Sequence, residues 1–236
     1  MEPIGESSPG RVARMAGVFY IVMFVCGGLA VLARRGLIVA GDAAATATNI
    51  LSHQSLYLVN FAGELLVTAS YIVVVALFYR MLKPVSRSVS LTAAFFGLMG
   101  CAVQTVALIF MLAPLTVLGG APYTGVFKVE QLQALAYMFL KLYSQTYGIA
   151  IVFFGFFMLL TGYLIYKSTF LPRALGGFMM LAGLGALAFL SPLFAAAHFP
   201  FVLAGSVGEL LLTVWLVAKS VDVERWRQVA EAAPRE

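Results

Sequence analysis

The run Gly-Glu-Leu-Leu-x-Thr is written twice, at residues 63–68 within FAGELLVTAS and at residues 208–213 within SVGELLLTVW, each time in apolar surroundings. A carboxylate near the middle of a membrane-spanning helix costs about 2.5–3.5 kcal/mol on insertion scales, so such a residue usually faces a bundle interior and marks a site. Glu64 and Glu209 are therefore the first candidates for chemistry. Steps of three and four residues from Glu64 meet Tyr57, Asn60, Thr68 and Tyr71, a polar stripe on one helix face. Around Glu209 the stripe is shorter, Ser206 and Thr213. Each glutamate lies roughly nine residues below the expected outer end of its helix, about 13 Å at 1.5 Å per residue. Two carboxyls sharing a buried site would titrate as a coupled pair, the chemistry of proton-linked binding or of acid/base catalysis.

Other polar groups fall at comparable positions. Gln104 lies one turn from Cys101, and Tyr143, Gln145 and Tyr147 open the fourth apolar segment. With Asn60, Gln104, Tyr71 and Gln145, the two glutamates would line an outward-facing cavity. Metal binding has little support, because His53 and His198 show no HExxH or Glu-x-x-His spacing and read as surface histidines. The two aspartates, Asp42 and Asp222, and the lack of GxSxG give no hydrolase triad. Cys26 and Cys101 both sit in apolar runs and offer neither a disulfide framework nor a CxxC site. No cofactor fingerprint is legible, and no catalytic residue is assigned.

The elements that must position these groups are membrane helices. Of 236 residues, 62% are hydrophobic and 11% charged, against about 25% charged in soluble domains. Six apolar runs approach the roughly 20 residues needed to cross a bilayer: 15–33, 56–79, 89–118, 145–166, 174–197 and 201–218. With a cytoplasmic N-terminus, eleven Lys and Arg lie inside and four outside, namely Arg34, Arg35, Lys128 and Lys141. That asymmetry follows the positive-inside rule and puts both termini in the cytoplasm. It also accounts for the net charge of +5 without nucleic acid. Arg34, Arg35 and Lys141 read as solvated loop charges, with an anionic ligand group or lipid headgroup as the alternative. The first run could be a signal peptide, but it is about 19 residues long and ends in two arginines, so a retained span is expected.

Two outer connections read as short interfacial helices, GDAAATATNILSHQ with Asp42 as N-cap and VEQLQALAYMFLKLYSQ before the fourth span. Residues 1–219 are expected to form one six-helix domain and 220–236 a short charged cytoplasmic tail. Gly148, Gly155 and Gly162, and Gly176, Gly177, Gly183 and Gly185, read as seams where helices approach closely. Trp226, Tyr163 and Tyr166 read as interfacial anchors. The similarity of spans one and two to spans five and six fits either an internal duplication or chance within a restricted alphabet.

The stretches GDAAATATNIL, LKPVSRSVSLTAAFFGLM, GIAIVFFGFFMLLTGYLIYKSTFLPRALGGFMMLAGLG and VGELLLTVWLVAK resemble the bacterial domain-of-unknown-function family 4386 of six-helix membrane proteins, over about residues 11–219. The resemblance implies the topology and a multi-pass address in the bacterial inner membrane, and no activity. The expected function is binding of a small or lipid-like ligand in the carboxylate-lined pocket, with proton-coupled transport as its extension. The rivals are an intramembrane enzyme using the same carboxylates and a non-catalytic assembly protein in which they are interhelical glue. Oligomeric state is not legible.

Overall fold

Long apolar runs become long helices, and in the computed structural model of the chain the described residues form helices joined by short connections. It describes residues 8–120, 124–190 and 199–233, the last segment without side chains at 199–206. No strand occurs among the described residues. The helices are α1 (Pro9–Leu37), α2 (Ala43–Ser52), α3 (Gln54–Leu82), α4 (Arg87–Leu118), α5 (Val129–Lys167), α6 (Arg173–Leu187), α7 (Phe199–Ala218) and α8 (Val223–Ala232), with a 3₁₀ turn at Ala188–Leu190.

Among the described residues five segments are long and apolar enough to cross a bilayer: α1, α3, α4, α5 and Arg173–Leu190. Their outward faces carry Leu29, Leu32, Val59, Phe95, Ile109 and Leu181, all more than 60% exposed. Large apolar side chains displayed along whole helices suit hydrocarbon rather than water, and the chain is a multi-pass membrane protein.

Two expected boundaries are corrected. The VEQLQALAYMFLKLYSQ segment is not a separate interfacial helix, and the fourth span does not begin at Gln145. Both belong to α5, 39 continuous residues or about 58 Å, longer than the hydrocarbon layer. Nothing between Val129 and Tyr147 breaks a helix, and Ala136, Leu140 and Tyr143 form one buried stripe while Glu130 and Gln131 stay exposed. The second correction concerns α1, which runs past Ala33 to Leu37. Arg34 and Arg35 thus occupy its last turn instead of a loop, where the carbonyl end of the helix favours cations. The end of the fifth expected span, residues 191–197, and His198 lie outside the described residues.

The chain divides into two compact units. One holds Met1–Ile21, Ser70–Gly100 and Ile149–Glu236, the other Val22–Ala69 and Cys101–Gly148.

Within the first unit the glycine seam is real. A Cβ on Gly162 would lie 2.7 Å from the Gly176 carbonyl oxygen, one on Gly176 2.5 Å from the Tyr166 nitrogen, and one on Gly183 2.6 Å from the Gly155 carbonyl oxygen. Backbone of α5 meets backbone of α6 because neither carries a side chain there. By contrast, Gly177 has nothing within 4 Å. The tail is more than a charged end. In α8, Asp222 caps the helix through Arg225 N, and Trp226 Nε1–H donates to the Met81 carbonyl at 2.8 Å. Trp226 therefore anchors on protein backbone.

In the second unit Asp42 is the expected N-cap of α2, accepting from Ala45 N at 2.8 Å. Ten residues are too few to span, and α2 instead buries Thr46, Ala47 and Ile50. Ile50 joins Leu37, Tyr57, Leu108, Met111, Leu140 and Tyr143 in one apolar core. The Tyr57 hydroxyl donates to the Met111 carbonyl of α4, one turn before Pro114, where a proline weakens the helix's own hydrogen-bond ladder and outside donors are welcome.

Candidate functional site

The stripe on α3 faces inward over its full length. Tyr57, Asn60, Glu64, Thr68 and Tyr71 are each at most 5% exposed, although the division between units falls between Ala69 and Ser70. Its polar groups therefore belong to two clusters, one in each unit.

In the second unit Glu64 is the centre. Arg34 Nη2 donates to its Oε1 at 2.6 Å, with the carboxylate side chain 4% and the guanidinium side chain 23% exposed. The other guanidinium nitrogen, Nη1, donates to the Tyr143 hydroxyl, and the Arg34 Cζ lies 5.4 Å from the centre of that ring. Tyr143 and Gln104 both hydrogen-bond the Glu64 carboxylate. Four helices thus converge: α1 brings Arg34, α3 Glu64, α4 Gln104 and α5 Tyr143. Arg34 is not the solvated loop charge expected from its place after an apolar run. The buried carboxylate needs a counter-ion, and an ion pair with this many donors is the arrangement in which two charges can persist away from water. One turn above Glu64 stands Asn60, 3% exposed, whose Oδ1 and Nδ2 have no hydrogen-bond partner. Residues four apart on a helix are neighbours, so this amide adjoins the ion pair.

In the first unit Glu209 lies ten residues beyond the start of α7, as Glu64 does in α3. Its surroundings differ. It is 9% exposed and its Oε1 has no hydrogen-bond partner, while Thr213 Oγ1 donates to its backbone carbonyl. Its carboxyl neighbours Tyr20 of α1, which is fully buried and hydrogen-bonds Tyr71. Tyr71 in turn packs against Phe154, with ring centres 4.4 Å apart. A buried phenol neighbours this carboxyl where an arginine accompanies the other.

Of the sequence-derived site residues, Glu64, Asn60 and Gln104 come together, and Glu209 and Tyr71 fall in the other cluster. Gln145 is exposed, two residues and about 200° round α5 from buried Tyr143. The Ser206 side chain lies outside the described residues. His53 is exposed at the end of α2, its Nδ1 3.1 Å from the Asn49 carbonyl oxygen. Among the described residues no three His, Cys, Asp or Glu side chains gather as metal ligands. Sequence reasoning missed Tyr20 altogether, and its only signal was a lone phenol in the middle of a spanning run.

A family model described as a domain of unknown function (DUF4386) matches residues 15–220. An uncharacterized protein of Archaeoglobus fulgidus is 29% identical over 162 residues, covering 68% of this chain and 83% of that one. No solved structure matches the chain.

Proposed function

This chain belongs to the DUF4386 family, and from its membership and its site together we propose a six-helix protein of the bacterial inner membrane that binds a small or lipid-like ligand beside Glu64. Six spans follow if α7, 20 residues long, crosses with the other five, and the distribution of Lys and Arg then supports cytoplasmic termini. The observation that carries the binding reading is Asn60. An amide buried in an apolar bundle without a partner costs free energy that the sequence could avoid with leucine. A ligand that supplies an acceptor and a donor would recover it. Arg34, Tyr143 and Gln104 supply the neighbouring donors.

Native mass spectrometry of gently solubilised wild type and Asn60→Leu tests this. An adduct present in wild type and absent from Asn60→Leu is expected. An adduct retained undiminished by the variant would refute the pocket.

The glue reading keeps one observation of its own, the Arg34–Glu64 pair, which ties α1 to α3 at 2.6 Å. On that reading Asn60→Leu stabilises the protein and changes no adduct.

A further inference from the structure

We infer that Glu64 occupies Arg34 in the way a carboxylate ligand does, and that such a ligand enters by exchange: the incoming carboxylate takes the guanidinium while Glu64 leaves it carrying a proton. This rests on the binding reading above and names its ligand class. Arg34 holds the Glu64 carboxylate at 2.6 Å, with Tyr143 and Gln104 adding hydrogen bonds. Any other carboxylate set against Arg34 would meet the same three donors, whose fork geometry suits a planar anion. Arg34 is also the partner that can be reached, since its side chain is 23% exposed against 4% for Glu64.

The two ends of the exchange are both provided for. Arg34 sits in the last turn of α1, so the helix's carbonyl end favours its charge whichever anion it holds. Once neutral, Glu64 becomes a donor and needs an acceptor. Asn60 Oδ1, buried one turn away on the same face, has no partner and can take that bond. The balance is one proton and one anion bound together, with the net charge of the cluster unchanged. The other titratable groups facing the pair are the phenols of Tyr57, Tyr143 and Tyr147. α4 contributes the neutral Gln104. The chemistry of the ligand's other end, a short acid or an acyl chain, separates a free metabolite from a membrane lipid.

Titration of sodium lactate and of sodium laurate into full-length protein in nanodiscs, at about pH 5.5 and about pH 7.5, decides the matter. At least one probe is expected to bind wild type, up to about tenfold more tightly for each unit fall in pH, because one proton accompanies each anion. Lactate alone marks a small-acid site, and laurate alone a lipid-derived one. Glu64→Gln, which presents the neutral form permanently, should bind as tightly at the higher pH as at the lower. Arg34→Gln should bind neither. No binding of either probe, equal wild-type affinity at both pH values, or loss of binding in Glu64→Gln would overturn the exchange. If the exchange fails while Asn60→Leu still strips the native adduct, the pocket stands and only its ligand class is wrong. If Asn60→Leu keeps the adduct, the binding reading itself falls.

Discussion

Arg34 and Glu64, thirty residues apart in the chain, meet through a 2.6 Å bond between guanidinium Nη2 and carboxylate Oε1. The last turn of α1 is thereby joined to the middle of α3. Breaking such a pair from one side strands the other charge. Arg34→Leu is expected to cost about 3–5 kcal/mol, because Glu64 is left buried without its counter-ion, whereas Arg34→Leu combined with Glu64→Leu should recover more than half of that loss. Unfolding of both variants in mixed detergent micelles measures the difference. Equal losses for the single and double variants would mean that the pair is not coupled.

The α5–α6 seam makes a sharper test of packing. A methyl group on Gly162 or Gly183 has backbone atoms under 3 Å away, and backbone cannot step aside as a side chain tip can. Gly162→Ala and Gly183→Ala are each expected to destabilise the protein by about 1–3 kcal/mol. Gly177→Ala, with open space around the same position, should lie within about 0.5 kcal/mol of wild type. The control matters because all three are glycines in the same two helices. A comparable loss in all three would point to lost helix flexibility instead of close approach.

Trp226 holds α8 by one indole hydrogen bond to the Met81 carbonyl. Trp226→Phe keeps an aromatic ring and removes the donor, at a cost of about 0.5–1.5 kcal/mol confined to the tail. Trypsin should then cut after Arg225 and Arg227 several-fold faster than in wild type, while the spanning helices stay intact. An unchanged cleavage rate would show that the Asp222 cap and the Arg225 contact to the Thr169 carbonyl suffice to hold it.

Glu209 is expected to answer differently from Glu64. With no hydrogen-bond partner for its Oε1, Glu209→Gln removes no ion pair among the described residues, and its stability should change by less than about 1 kcal/mol. Thermal unfolding checks this directly. A loss of several kcal/mol would mean that the negative charge itself holds the aromatic cluster of Tyr20 and Tyr71.

The residue string alone determined the solvent, the helical class and the inward face of α3. Those follow from local chemistry: runs of apolar residues demand hydrocarbon, and a stripe of polar groups at helical spacing must turn away from lipid. The glycine seam was legible for the same reason, since small residues at seven-residue spacing have one common use in membrane helices. The partner of Glu64 was not legible. Arg34 stood beside an apolar run like any loop arginine, and only the continuation of α1 to Leu37 put it in a helical turn facing α3. Likewise, the polar residues of 129–145 looked like a separate surface helix, because composition cannot say whether two apolar stretches without a breaker are one rod or two. The tertiary packing also sorted one polar stripe into two clusters and supplied Tyr20 from α1. Pairings across 30 or more residues are chosen by which helices pack together, and that is set by the summed fit of many weak contacts, of which no single residue carries the sign.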